Sequence, residues 1–367
     1  MNGTTRMGRT IVTGAAGLIG SAMVWELNQH GVEDAIVVDR LGRSEKWRHL
    51  VPLRFSEYLD AEEFYPRIAE NPNAFGPIAE VYHLGACSST TERDATYLVA
   101  NNYRTTQDLA TWALGRDARF VYASSAATYG SRETDLREDL DPYSLAPLNM
   151  YGYSKQLFDL WARREGLLDR IVGLKFFNIY GPNEDHKGDM RSVVAKAYEQ
   201  ITAEGSVKLF ESYRPGMRDG EQTRDFLYVK DAVAIALHLG RSQAAGLYNV
   251  GSGVARTWND LVTAIFTALE RPKNITYIPM PDALRGKYQY RTEATIDKLR
   301  ASGYTAPFTS LEEGVWEYVC RYLVPGLTLG TERVSPTRTA AELPSPATGA
   351  GTSLTGAGSA RSTPANR

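Results

Sequence analysis

The chain has 367 residues, 43% of them hydrophobic and 23% charged, with a formal charge of −2. That is ordinary globular composition for one large or two modest domains, and the near-neutral balance points to neither nucleic acid nor an anionic membrane as a partner. Two cysteines, Cys87 and Cys320, are too few for a disulfide scaffold and fit a reducing cytosol. The start of the chain lacks the apolar stretch of a secretory signal, and no apolar run is long enough to span a bilayer. A cytoplasmic protein is therefore expected.

Arg9–Thr13 reads as a short buried strand, and Gly14-Ala-Ala-Gly17-Leu-Ile-Gly20 follows at once. Ser21 to Gln29 then shows helical spacing, with Met23, Val24 and Leu27 apolar. Strand, glycine turn and helix form a dinucleotide-binding unit. In such a unit Gly14 permits the tight turn, Gly17 lets backbone approach a pyrophosphate, and Gly20 allows close helix–strand packing. The helix start faces the phosphates with free N–H groups. Ala35–Asp39 is the second strand and ends in a carboxylate 19 positions after Gly20, where an acid meets the adenosine ribose. Asp39 suits a free 2′-hydroxyl, whereas Arg40, Arg43 and Lys46 suit a 2′-phosphate. NAD and NADP both stay open, with the cations favouring NADP.

Glu80–Leu84 reads as the next strand, running into the small residues Gly85, Ala86, Cys87 and Ser88. Small residues at a strand's carboxyl end suit a ligand crevice in an open α/β sheet. Tyr97–Leu114 is expected to be a helix carrying Asn101 and Asn102. Phe120–Ala123 is a strand that leads to Ser124-Ser125. A hydroxyl there can hydrogen-bond an oxygen that changes between alcohol and ketone, or simply cap the following turn.

Tyr151 and Lys155 lie four positions apart on a helix expected over Tyr151–Arg164, hence on one face. A tyrosine alone titrates near pH ~10 and is a poor base. A fixed cation beside it should pull that value down and make a proton shuttle. Ile171–Phe177 is another strand. The alternation predicts a doubly wound parallel sheet, an α/β Rossmann-like architecture over residues 1–182, completed by parts of 225–260. Residues 183–326 would form a smaller α/β substrate lobe, with Arg214–Thr223 as a surface loop. Residues 327–367 are expected to be a disordered tail rich in Ser, Thr, Pro, Ala and Gly, above all Glu332–Arg367, which lacks the apolar surface to offset ordering.

The glycine turn, Ser125 and Tyr151-x-x-x-Lys155, in this order, resemble the extended short-chain dehydrogenase/reductase superfamily. Longer strings narrow the likeness: Gly85-Ala-Cys-Ser-Ser-Thr-Thr-Glu92, Tyr122-Ala-Ser-Ser-Ala-Ala-Thr-Tyr-Gly130, Pro147-Leu-Asn-Met-Tyr-Gly-Tyr-Ser-Lys155 and His186-Lys-Gly188. Phe226-Leu-Tyr-Val-Lys-Asp231 and Gly286-Lys-Tyr-Gln289 continue it. Together they resemble the ADP-L-glycero-D-manno-heptose 6-epimerases, over about Arg9 to Leu323.

The resemblance implies inversion of C6 of an ADP-bound heptose by transient oxidation with one NADP (NAD possible) per subunit, for surface polysaccharide synthesis. It implies no metal and a homo-oligomer, a pentamer in the family. Tyr151 and Lys187 would be the acid/base pair, Ser125 their hydrogen-bonding partner, and Lys155 the ribose-binding aid to Tyr151. The matching cofactor positions are Gly14, Gly17, Leu18, Ile19, Gly20, Asp39, Arg40, Lys46, Leu84, Gly85, Ala86, Cys87, Ser88, Asn101, Lys155, Ile179 and Lys187. The matching substrate positions are Asn178, Asp189, Lys196, Phe210, Glu211, Ser212, Tyr213, Arg224 and Tyr288. Leu84, Asp189 and Lys196 depart from the Glu, Ser and His expected of the family. Another nucleotide-sugar epimerase on the same fold is the nearest alternative. A dehydratase needs an Asp-Glu pair where this chain has Ala126 and Ala127, and a non-catalytic dinucleotide sensor would have no use for Ser125, Tyr151 and Lys155.

Overall fold

The computed structural model describes residues 7–285 and 288–331. In chain order the elements are β1 (Arg9–Thr13), α1 (Leu18–Gln29), β2 (Ile36–Asp39), β3 (Glu57–Asp60), α2 (Ala61–Glu70), β4 (Ile78–His83), α3 (Ala95–Leu98), α4 (Thr105–Leu114), β5 (Arg119–Ser125), α5 (Met150–Arg164), β6 (Val172–Phe176) and β7 (Asn178–Tyr180). They continue with α6 (Val193–Glu204), β8 (Val207–Phe210), β9 (Thr223–Tyr228), α7 (Val229–Arg241), β10 (Gly246–Val250), β11 (Ala255–Thr257), α8 (Trp258–Ala268), β12 (Ile275–Ile278), α9 (Asp282–Arg285), α10 (Asp297–Ala301) and α11 (Leu311–Glu317).

The main sheet has seven strands in the order β10-β6-β5-β4-β1-β2-β3, each pairing parallel with its neighbour. This is the doubly wound sheet that the alternation predicts. Its strands are near-continuous apolar runs because helices cover both faces. Ile11, Val12, Ile36, Val37, Val81, Tyr82, Phe120 and Val121 have no exposed surface. Strand order reverses between β1 and β4, and a ligand crevice opens beyond the carboxyl ends at such a reversal. β7, β9 and β11 make a second sheet, and β8 pairs with β12 in a parallel two-stranded ribbon.

Three local features depart from the sequence reading. The helix expected over 97–114 is interrupted by a wide π-type stretch, Val99–Arg104. That extra residue per turn lets Asn102 point inward. Its side chain bonds the N and O of Cys87 (2.9 Å each) and Ser154 Oγ (3.0 Å). The insert at 214–223 is pinned rather than free: Arg214 makes a two-pronged pair with Glu133 (2.6 and 2.7 Å) and lies 4.2 Å from the centre of the Tyr290 ring. Finally, the chain stays packed past residue 327. Leu329 is fully buried and its N–H donates to Asn183 Oδ1 (3.0 Å), because the one large apolar side chain at that point finds a place in the main core. Residues 332–367 and the pair Gly286-Lys287 lie outside the described residues. Among the described residues no helix is long and apolar enough to cross a membrane.

The core is continuous across residue 182. Val12, Leu174, Val194, Ile201, Val262 and Tyr322 belong to one buried apolar cluster. Elements before and after residue 182 therefore share one core.

Candidate active site

A cleft of about 550 Å³ lies at the carboxyl end of the sheet. Its floor is the glycine turn. Gly14 adopts φ +69°, and a Cβ there would sit 2.6 Å from Gly85 backbone; a Cβ on Gly20 would fall 1.9 Å from the Gly14 carbonyl oxygen. β1, α1 and the strand end at Gly85 thus meet at backbone distance. Leu18 and Ile19, in the first turn of α1, line the cleft, and first-turn N–H groups have no partner within a helix. That cradle fits a pyrophosphate.

Asp39 is buried and both its oxygens are engaged. Oδ2 accepts from Ala16 N (2.7 Å), and Oδ1 accepts from Arg40 N and Lys46 Nζ (2.7 Å each). The acid therefore braces the glycine turn and is neutralised by Lys46. Arg40 turns away to Asn101 Oδ1 (2.6 Å).

The other wall is α5. Asn149 caps it, Oδ1 accepting from Gly152 N (2.8 Å), which sets Tyr151 in the first turn. A Cβ on Gly152 would stand 2.9 Å from the Ala127 carbonyl, so the helix approaches the turn after β5 closely and brings Tyr151 to Ser125. Ser125 also does the humbler job, its Oγ accepting from Ala127 N (3.1 Å). Lys155 donates to the Ala123 carbonyl (2.8 Å). Burial lowers its ammonium to about 8, against the pull of Asp159 and Cys87 in the other direction.

The expected lowering of the Tyr151 pKa is not what the structure gives. Burial raises the phenol above its ordinary value, and the hydrogen bond with Ser125 offsets only part of this. Desolvation outweighs the charge one turn away, because that ammonium is aimed at a carbonyl.

Lys187 faces the cleft from a tight turn, Asp185–Met190, kinked at Gly188. Burial lowers its pKa and Glu184 works against that. The two groups are thus displaced toward each other: the phenol holds its proton more firmly and the amine gives its proton up more readily.

All four expected catalytic residues, Ser125, Tyr151, Lys155 and Lys187, line this cleft. So do Gly14, Gly17, Leu18, Ile19, Gly20, Asp39, Lys46, Leu84, Gly85, Ala86, Ser88 and Ile179 of the cofactor set. Arg40, Cys87 and Asn101 do not. Of the substrate set, Asn178 alone lines it. Arg224 and Tyr288 stand behind the cleft residue Trp258: Trp258 Nε1 donates to Tyr288 OH (2.9 Å), and the Arg224 guanidinium lies 5.5 Å and 5.1 Å from the two ring centres. Lys196 Nζ bonds the Asp189 carbonyl (3.1 Å). Glu211 N is held by the Ile278 carbonyl (2.9 Å), Ser212 N by Asp219 (2.6 Å), and Tyr213 OH accepts from Arg285 (2.9 Å), at the end of the ribbon where Phe210 closes β8.

Several cleft residues escape the sequence reading. Asn149 was legible as a helix cap three positions before Gly152, whereas Trp258 and Thr292 carried no signal as site residues. His49, fully buried beneath the glycine turn rather than lining the cleft, is less legible still, since its partners lie 33 and 136 positions away. His49, Asp185 and His186 also bring one ligand-type atom each within 4.8 Å of one another, but both His49 nitrogens are already hydrogen-bonded.

Residues 10–251 match the model of the NAD dependent epimerase/dehydratase family. The chain belongs to that family. It is 55% identical over 315 residues to an ADP-L-glycero-D-manno-heptose-6-epimerase of Nitratidesulfovibrio vulgaris, covering 85% of this chain and 97% of the relative. Among solved structures, the Helicobacter pylori ADP-L-glycero-D-manno-heptose-6-epimerase superposes with a TM-score of 0.73 at 27% identity, over 87% of this chain and 98% of that one. The Thermus thermophilus UDP-glucose 4-epimerase, solved in complex with NAD, gives 0.67 at 26% identity over 85% and 98%. Membership of this family supports a nicotinamide dinucleotide as the cofactor, and the heptose epimerase relatives support a nucleotide sugar as the substrate.

Proposed function

We propose that the protein interconverts ADP-D-glycero-D-manno-heptose and ADP-L-glycero-D-manno-heptose by transient oxidation at C6. The observation that carries this reading is the convergence of Ser125, Tyr151, Lys155 and Lys187 on one cleft that begins at the glycine turn. The 55% identity to a named heptose epimerase supports the choice of sugar.

A nicotinamide dinucleotide held by the glycine turn would supply the reversible hydride acceptor for C6. The chain's own work is proton transfer and orientation. Lys187, displaced toward its free amine, takes the C6 hydroxyl proton in one direction. Tyr151, displaced toward its phenol form, gives a proton to the ketone oxygen after the C5–C6 bond has turned. A phenol raised and an amine lowered in this way suit the roles of acid and base. Ser125 hydrogen-bonds the oxygen as it gains charge. Lys155, tied to Ala123, holds the ribose hydroxyls and supports the Tyr151 proton exchange. In the reverse direction the two roles exchange.

The cofactor we assign is NADP, one per subunit. Lys46 lines the cleft and already neutralises Asp39, so a 2′-phosphate meets an ammonium rather than a bare carboxylate. The protein would act in the cytoplasm as a homo-oligomer, a pentamer by its family likeness, in nucleotide-heptose synthesis for surface polysaccharide. Incubation with ADP-D-glycero-D-manno-heptose, followed by proton NMR, tests the reaction: the L-glycero epimer should accumulate to an equilibrium mixture. Protein carrying cofactor and giving no epimer would contradict it. Native purification should release NADP; NAD alone would overturn the cofactor assignment.

A further inference from the structure

The segment bearing Lys187 is tethered in three places. Asn183, at φ 73°, donates to Ser21 Oγ on α1 (3.0 Å) and accepts from Leu329 N (3.0 Å). Glu184 is buried and accepts from Ser192 N and Oγ (2.5 Å each) and from Tyr318 OH (2.9 Å). These two hold the base of the segment. The third tether runs to the glycine turn itself. His49 is fully buried, with Nδ1 2.7 Å from the Ala16 carbonyl oxygen and Nε2 2.6 Å from Asp185 Oδ1.

A carbonyl can only accept, so Nδ1 carries a proton and the ring is fixed in orientation. Nε2 then faces a carboxylate, and the hydrogen bond with His49 holds the Asp185 carboxyl below its usual range although burial opposes this. The other titratable group facing this pair is His186, whose ring lies 5.3 Å from that of His49; His186 in turn feels the cations Lys46, engaged by Asp39, and Lys187. His49 joins the residue before Gly17 to a residue two positions before Lys187.

We propose that His49 is a positioning residue: through Asp185 it fixes the Lys187 turn against the glycine turn, and so sets where the Lys187 amine stands in the cleft. The expected effect on rate rests on the acid/base reading of Lys187, whereas the tether itself does not. Asp185→Ala severs the bond from its exposed side, with little risk to folding. His49→Asn keeps a donor for Ala16 and removes the one for Asp185. Both are compared as cofactor-loaded protein.

Each should lower kcat about 10- to 100-fold, the loss typical of a misplaced catalytic group, with KM and bound cofactor near wild type. Asp185→Asn, whose amide oxygen still accepts from Nε2, should recover part of the loss. The double variant should be no worse than either single, since both cut one link. Acetylation of Lys187 by dilute acetic anhydride, read by mass spectrometry against exposed Lys273, should rise severalfold in both single variants. Unchanged Lys187 labelling in both would overturn the tether whatever the rates. A Lys187→Met enzyme of normal rate would instead sink the acid/base reading and leave the tether to stand on the labelling.

Discussion

Lys155 and Asp159 lie one turn apart on α5, yet they do not pair. The Lys155 ammonium bonds the Ala123 carbonyl, while the fully buried Asp159 carboxylate accepts from Tyr122 OH (2.8 Å), Ser124 Oγ (2.8 Å) and Lys175 Nζ (3.0 Å). Lys175 in turn bonds Thr128 (2.7 Å). Asp159 therefore holds the strand end that carries Ser125 and, from a distance, helps Lys155 keep its proton.

Asp159→Asn would leave the Lys175 charge buried without a counter-ion. Breaking one side of such a pair typically costs about 3–5 kcal/mol. Urea unfolding should record a loss of that order, and Asp159→Leu with Lys175→Met should regain much of it. A single variant within about 1 kcal/mol of wild type would show that the pair is not the brace described, given that deleting a buried partner normally costs several times more.

The pH dependence should follow Lys155. With its ammonium lowered from 10.5 to about 8 by burial, epimerisation should fall as pH rises through about 8. Unfolding does not explain such a fall. Between about 8 and 10.5 the unfolded chain holds a proton that the folded chain lacks, so this residue makes the fold more stable as pH rises. Lys155→Met should be slow and lack that limb. A limb that persists in the variant would assign it to another group.

Much of this site was legible before the fold. The glycine turn, Ser125 and Tyr151 with Lys155 are local patterns, each within one strand–turn–helix unit, and local backbone geometry is what sequence spacing encodes. The strands β3, β7, β11 and β12 were not read, since each is only three or four residues long and has half-buried positions. Nor was the upward displacement of Tyr151, which depends on burial by distant segments. His49 and the Arg214–Glu133 clamp are contacts between segments far apart in the chain, and no periodicity marks them.

Tyr151→Phe and Lys187→Met should each abolish epimerisation while cofactor stays bound and the melting temperature holds. Loss of a positioned acid/base group usually costs about 10²–10⁴-fold. The two should differ in direction. Tyr151→Phe should still allow partial reduction of bound cofactor on mixing with substrate, since Lys187 can take the first proton; Lys187→Met should not. Cofactor absorbance near that of the reduced nicotinamide, followed after mixing, separates them. Equal behaviour of the two variants would contradict the division into acid and base.

The central claim is that C6 loses and regains the same hydride within one enzyme-bound cycle. ADP-D-glycero-D-manno-heptose deuterated at C6 and incubated with the purified protein in ordinary water tests it most directly. The L-glycero epimer should carry deuterium at C6 in full, with no cofactor added and none released. An epimer bearing protium at C6 would mean that the hydrogen exchanged with water as a proton, and the hydride-recycling account would fall.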